Sequence, residues 1–326
     1  MIEDIFHNLS ERQFLEQALA LFRFQFENNP VYREFCIRLQ IKEYQIDTLE
    51  KIPFLPISFF KTHKVVTTNF KEEMVFHSSG TSSKETSKHY IKSLAWYEKA
   101  VLESFQFFYG TPETYQFFLL LPNYLENKHS SLIYMMNELI SMALPRDATQ
   151  NESYLKNHDI LYHQLMKQKS EKRKTILFGV SYALLDFVEK YRLDFPELIV
   201  FETGGMKGRR KEMVKEELHA VLKKGFGVEQ IHSEYGMCEL LSQAYSKGEN
   251  LFSTPPWMKL LIRDEKEPIY SSLTCNSGIV NVIDLANIYS CAFIATEDIG
   301  RKNEAGFMEI LGRLDAAQIR GCNLLY

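Results

Sequence analysis

Between Ser93 and Glu239 the chain switches repeatedly between two hydrophobic periods, and that alternation limits the folds open to it. "SLAWYEKAVLESFQFFYG" (93–110) has the spacing of an amphipathic helix and ends at a glycine, as helix C-termini often do. "TYQFFLLLPNY" (114–124) is a continuous apolar run of strand length, and "SSLIYMMNELISMAL" (130–144) returns to the helical period. The pattern repeats with "KTILFGV" and "SYALLDFVEKYR", then with "ELIVFETGG" and "KEMVKEELHAVLKKGFG", and "QIHSEYGM" opens another strand-to-loop unit. Apolar strands alternating with helices predict an α/β fold whose sheet is covered on its faces.

The flanking segments have other textures. Residues 10–45 read as helix, with Ser10 and Gln13 forming a capping box, and "KIPFLPISFFKTHKV" reads as an extended aromatic stretch. After about residue 250, "WMKLLIRD", "SGIVNVIDLAN", "SCAFIATEDIG" and "GFMEILGRL" are short strands with turn residues between them. No long helix intervenes there, so an antiparallel β subdomain is expected. The division that follows is an α/β body over 1–250, with a helical N-terminal segment, and a β subdomain over 251–326.

A net charge of −4 argues against a general nucleic-acid-binding role, which needs a basic excess. No apolar run is long enough to span a bilayer, and "MIEDIFHN" lacks the apolar region of a signal peptide. The five cysteines (Cys36, Cys238, Cys275, Cys291, Cys322) are widely spaced with no CxxC pair, which points away from a disulfide framework and towards a reducing, cytoplasmic setting.

Six stretches carry candidate chemistry. "HSSGTSSKETSKH" (His77–His89) holds seven hydroxyl side chains around Gly80, with Lys84 and Lys88. It is no Walker A loop, and composition alone reads as a solvated linker. Backbone amides, hydroxyls and lysines after the strand "MVFH" can also wrap phosphate oxygens. "GVSYA" places Ser181 between strand and helix, where a hydrolase nucleophile would sit, but the second glycine is replaced by Ala183 and Ser181 reads more simply as an N-cap. "ETGGMKGRRK" offers Gly204–Gly205 for close backbone approach to a flat ligand, with Arg209, Arg210 and Lys211 expected to pair with Glu212 to Glu217 on a solvated helix face. "HSEYGMCEL" offers the aromatic face of Tyr235, then Gly236, and the carboxylate of Glu239 for Mg2+. "ATEDIGR" and "GRLDAAQIRGC" put Asp298, Arg313 and Cys322 near turns and the C-terminus; a lone cysteine is ordinarily an inert one.

The order of these signals resembles the adenylate-forming superfamily of acyl and aryl ligases. Ser78-Ser79-Gly80-Thr81-Ser82-Ser83-Lys84 is similar to its phosphate loop, Gly204–Gly205 to its adenine turn, and Tyr235-Gly236-Met237-Cys238-Glu239 to its Y-G-x-T-E motif. Thr296-Glu297-Asp298 is similar to its T-G-D motif and Gly312-Arg313-Leu314-Asp315 to its G-R-x-D hinge. Within that superfamily "IPFLPISFFKTHKV", "LPNYLENKHSSLIYM", "ETGGMKGRRKEM", "HSEYGMCELLSQAYS", "PPWMK" and "IRGCNLLY" look like stretches of the LuxE-type acyl-protein synthetases, related to phenylacetate–CoA ligases. The resemblance implies the large-domain architecture of adenylate-forming enzymes without the small C-terminal domain.

It further implies roles by position. Ser78, Ser79, Gly80 and Thr81 would cradle ATP phosphates, with Lys84 or the catalytic candidate Lys88 adding charge. Gly204, Gly205, Tyr235 and Gly236 would border adenine, Glu239 would bind Mg2+, and Asp298 with Arg313 would hold the ribose. Cys322 would take the acyl group from acyl-AMP, for delivery to a partner acyl reductase (the fatty-acid reductase of bacterial bioluminescence). A fatty acid, long-chain by the resemblance, is the implied substrate. Ser83 stands where the family has Gly, and Cys238 where it has Thr, whose hydroxyl is a better donor than a thiol. Alternatives are a ligase that uses coenzyme A as acceptor, a degenerate non-catalytic homologue, and a serine hydrolase built on Ser181.

Overall fold

Ser10 starts the first helix by the expected device: its side chain accepts from the Gln13 amide while the Gln13 side chain reaches back to the Ser10 amide. Ser10→Ala is expected to cost about 1 kcal/mol of stability in chemical denaturation, the usual worth of a cap. The computed structural model of the chain describes residues 5–78, 86–122, 128–143, 154–204, 210, 213–264, 275–304 and 307–313. In chain order its helices are α1 (Glu11–Asn28), α2 (Pro30–Arg38), α3 (Phe59–Thr62), α4 (Leu94–Tyr109), α5 (Ser131–Met142), α6 (His158–Glu171), α7 (Ser181–Lys190) and α8 (Lys215–Phe226). Its strands are β1 (Leu55–Pro56), β2 (Met74–His77), β3 (Lys88–Ile91), β4 (Gln116–Leu120), β5 (Thr175–Val180), β6 (Ile199–Thr203), β7 (His232–Tyr235), β8 (Ala244–Ser246), β9 (Leu251–Ser253), β10 (Met258–Arg263), β11 (Ser277–Asp284), β12 (Phe293–Lys302) and β13 (Met308–Arg313).

Three local expectations need correction. The helix predicted over 10–45 is two helices, because Pro30 has no amide to continue α1 and Asn29 caps α2 by accepting from the amides of Val31 and Tyr32. The stretch after Lys51 is not simply extended: the two-residue β1 is followed by the four-residue α3. Ser181 is not an N-cap, since Val180 occupies that position and the Ser181 hydroxyl points elsewhere, as described below.

The chain divides into two units, each made of discontinuous segments. One comprises residues 102–236 and 245–251. Its strands β4, β5, β6 and β7 are parallel neighbours in that order, with pairs such as Phe118↔Leu177, Phe178↔Phe201 and Glu202↔Ser233. Every residue of β4 and β5 is buried, as expected for strands covered on both faces. Helix α8 ends at Gly227, whose φ of 71° is the left-handed cap conformation that glycine adopts without strain.

The other unit comprises residues 1–101, 237–244 and 252–326. Here β10, β11, β12 and β13 form consecutive antiparallel pairs, the arrangement expected from their short, turn-separated spacing. β1 runs parallel to β12 at Leu55↔Ile294 and Pro56↔Ala295. Strands β2 and β3 form a separate two-stranded hairpin with His77 opposite Lys88. Tyr32, Phe22, Phe54 and Phe293 pack ring against ring in this unit's core; burying each aromatic ring contributes roughly 2–3 kcal/mol. Among the described residues no helix is long and apolar enough to cross a membrane, and the four described cysteines are free thiols.

Candidate functional site

The two described ends of the hydroxyl-rich strip lie on β2 and β3, where His77 pairs with Lys88. Ser78 continues the pairing beyond β2: its amide donates to the Ser87 carbonyl at 3.1 Å, and its hydroxyl accepts from the Ser87 amide at 3.0 Å. Ser79, Gly80, Thr81 and Lys84 lie outside the described residues. Along β3 the side chains alternate, so Lys88 is exposed while His89 is buried.

The sequence analysis left His89 without a role. The structure directs its Nδ1 at the Cys238 carbonyl, 2.7 Å away. Burial lowers the ring's pKa to about 4, so it is neutral at physiological pH and its Nδ1–H donates to that carbonyl.

Cys238 and Glu239 follow in the same unit. Glu239 is only 3% exposed. Burial raises its pKa, opposed by the Ser87 hydroxyl, the chain's own amide, the Cys238 thiol and the positive charge of Arg313. Burial and the adjacent Glu239 carboxylate hold the Cys238 thiol well above the usual range, so it stays protonated and donates to Glu239. Arg313 also faces Asp298, its register partner across β12 and β13, with Nε 3.6 Å from Oδ1. Asp298 is 14% exposed and Arg313 73%, so the pair is open to solvent on the arginine side. The base of the serine-rich hairpin, Glu239, and Asp298 with Arg313 are therefore gathered in one unit although they are far apart in the sequence.

The other unit holds Gly204, Tyr235 and Gly236; Gly205 lies outside the described residues. Gly204 follows β6 with φ 68°, a turn that costs glycine no steric strain. Its carbonyl accepts from the Ser181 hydroxyl at 2.9 Å. Tyr235 is buried at the end of β7.

Beneath Gly204 sits a polar cluster the sequence did not predict. Glu202, almost wholly buried, accepts from Ser181 Oγ at 2.9 Å, Ser233 Oγ at 3.0 Å and Lys215 Nζ at 2.5 Å. Burial alone would raise its pKa; the Lys215 charge and the nearby His219 ring outweigh that and bring it to about 2. His219 Nε2 lies 3.6 Å from Glu202, beyond hydrogen bonding. On the opposite face of the strands, Thr203 Oγ1 donates to Glu234 at 3.1 Å, and burial lifts Glu234 to about 7.

Ser181 therefore donates to a carboxylate and a carbonyl, not to an imidazole, so the hydroxyl–imidazole pair of a Ser–His–Asp hydrolase is not formed among the described residues. Arg210, expected to pair with the acids that follow it, binds Asp186 and Glu189 of α7. Cys322 lies outside the described residues.

Comparisons with known proteins bear on this geometry. The model of the family described as "Acyl-protein synthetase, LuxE" matches residues 6–326. A long-chain-fatty-acid–luciferin-component ligase from Vibrio harveyi is 26% identical over 97% of this chain and 88% of its own. Among solved structures, O-succinylbenzoate coenzyme A synthetase (MenE) from Bacillus subtilis, in complex with ATP and magnesium ion, aligns with a TM-score of 0.52 at 16% identity, covering 74% of this chain and 50% of that one. ATP-bound MatB from Rhodopseudomonas palustris aligns with a TM-score of 0.50 at 15% identity, covering 73% and 47%. This chain thus spans about half the length of those structures and shares with them the α/β fold of adenylate-forming enzymes.

Proposed function

Because the chain belongs to the LuxE acyl-protein synthetase family, a family of ligases, we propose that it activates a fatty acid with ATP and carries the acyl group as a thioester on Cys322. The observation that carries this reading is the convergence around Glu239: the hairpin-base residue Ser87, the thiol of Cys238 and the Arg313–Asp298 pair all act on or near one buried carboxylate. The V. harveyi relative, a long-chain-fatty-acid ligase by name, supports a long-chain acid as substrate.

Mg2+ suits this arrangement. A buried carboxylate with a hydroxyl beside it offers hard oxygen donors, and a cation there would offset the burial cost of the charge. Among the described residues no cluster of three or more His, Cys, Asp or Glu could enclose a metal. The fitting mode is therefore one protein carboxylate plus the nucleotide's own phosphates. Bound there, the ion would neutralise charge on the phosphoryl oxygens.

The chain's own residues supply the rest. Ser78 to Thr81 and Lys84 line the loop proposed to hold the phosphates, Lys88 adds positive charge at its base, and Asp298 accepts from the ribose hydroxyls with Arg313 orienting it. Gly204, Gly205, Tyr235 and Gly236 are assigned to adenine by their motifs. In the first step the fatty carboxylate attacks the α-phosphorus and pyrophosphate leaves, giving acyl-AMP. In the second the Cys322 thiolate attacks the acyl carbonyl and AMP leaves, giving the protein thioester. A partner acyl reductase would then take the acyl group, and a reducing cytoplasm would keep the thiol free.

Labelled fatty acid with ATP and Mg2+ is expected to mark the wild type in a hydroxylamine-sensitive bond and to leave Cys322→Ala unmarked, while both proteins support fatty-acid-dependent pyrophosphate exchange. Equal marking of the variant would remove the thiol assignment. Absence of exchange with every carboxylic acid tried would remove the adenylation step.

A further inference from the structure

Residues 236–243, which contain Glu239, form neither helix nor strand, so backbone pairing does not set their shape. Side chains do. Asp284, the last residue of β11, is fully buried, and its carboxylate accepts four hydrogen bonds. Oδ2 takes the amides of Leu241 at 2.8 Å and Ser242 at 2.9 Å. Oδ1 takes the Ser242 hydroxyl at 2.7 Å and the Ala286 amide at 3.1 Å. Trp257 Nε1 donates to the same Ser242 hydroxyl at 3.0 Å. Asn287 Nδ2 bonds the carbonyl of Glu239 itself at 2.8 Å and that of Cys291 at 2.9 Å. With His89 on the Cys238 carbonyl, the segment is gripped both before and after Glu239.

A carboxylate is a costly group to bury, and two loop amides can be satisfied by neutral acceptors. What a buried carboxylate adds is rigidity: charge-assisted bonds are shorter and stronger than neutral ones, and two oxygens fix two directions at once. Such strength two residues from Glu239 suits a carboxylate that must hold one orientation towards a cation bound also by phosphate.

We propose that Asp284 is a positioning residue for the ligase reaction: through the amides of Leu241 and Ser242 it fixes the turn that aims Glu239 at the Mg2+–nucleotide. This rests on the reading of Glu239 as the Mg2+ carboxylate. Outer partners that orient a metal-binding side chain typically govern affinity by 10- to 100-fold. Asp284→Asn keeps the side chain's size and one acceptor oxygen but sets an NH2 group against donors already present.

The test is the affinity for ATP, by calorimetry, at a series of Mg2+ concentrations. The Mg2+ concentration giving half of the full ATP affinity is expected to rise about tenfold in Asp284→Asn, while ATP binding in the absence of Mg2+ stays as in the wild type. Ser242→Ala, which removes one donor to Asp284 and the acceptor of Trp257 Nε1 but leaves the backbone amides in place, is expected to shift it about threefold in the same direction and serves where Asp284→Asn is poorly folded. Unchanged Mg2+ dependence in either folded variant, whatever its melting temperature, would make Asp284 structural only and overturn the proposal. Glu239→Gln separates the two layers. If it too binds Mg2+–ATP like the wild type, the assignment of Glu239 has failed and the proposal falls with it; if it alone loses the Mg2+ dependence, only the role of Asp284 is refuted.

Discussion

Gln25→Leu is expected to destabilise the protein by about 3–6 kcal/mol, although it swaps one side chain for another of similar size within a helix. Gln25 is fully buried on α1. Its Nε2 donates to the carbonyls of Asn287 and Ile288 at 2.9 and 3.0 Å, and its Oε1 accepts from the Ala292 amide at 3.0 Å. Leucine would fill the space and improve helix propensity by a few tenths of a kcal/mol at most. It would also leave three buried main-chain groups unpaired, at about 1–3 kcal/mol each. The penalty therefore outweighs the apolar gain. Urea denaturation measures it, and a loss below about 1 kcal/mol would mean the 287–292 turn does not depend on α1. Because Asn287 also holds the Glu239 carbonyl, adenylation is expected to decline in the same variant.

Lys215→Met is expected to cost about 3 kcal/mol at neutral pH, at the lower end for a broken buried pair because the lysine end is 34% exposed and screened while Glu202 is 1% exposed. The pH dependence gives the sign. In the wild type Glu202 titrates at about 2 in the folded state, below an ordinary glutamate near 4.3. It therefore contributes stability that is fully present above the unfolded pKa and is lost as pH falls towards 2. Without Lys215, burial dominates and the folded pKa rises. Glu202 then takes up a proton within the mildly acidic range, so the gap between variant and wild type should narrow as pH is lowered from 7 towards 4. Thermal denaturation over that range checks it; a gap constant with pH would mean that Lys215 acts through packing, not through its charge on Glu202.

The motifs proposed for nucleotide binding were legible in the sequence because each lies within a short window. A serine-rich turn after a strand, a Gly–Gly turn, a tyrosine followed four residues later by a glutamate, and a Gly-Arg pair near the end are all readable in short windows. What escaped was the support beneath them. His89 sat at the edge of the hydroxyl strip with no assigned role, yet it holds a carbonyl 149 positions away. Asp284 and Asn287 looked like ordinary residues at the end of an apolar strand, yet their partners lie 42 to 48 positions earlier. A side chain bonded to main chain leaves no pattern of its own, because any residue can offer the amide or the carbonyl.

The same physics separates the two contributions for the protein as a whole. Hydrophobic period and chain-breaking residues act over a few positions, so the sequence by itself determined the alternation of helices and strands, the α/β class, the capping box at Ser10 and the antiparallel texture of the last quarter. It also contained the break at Asn29–Pro30, which the apolar spacing masked. Only the tertiary structure decided which buried polar groups meet. It turned Ser181 from a helix cap into a partner of Glu202 and Gly204, gave Arg210 to Asp186 and Glu189, and wrapped the Glu239 turn around Asp284. Burial makes each of those choices strict, since a polar group removed from water must find its partner wherever the fold has placed one.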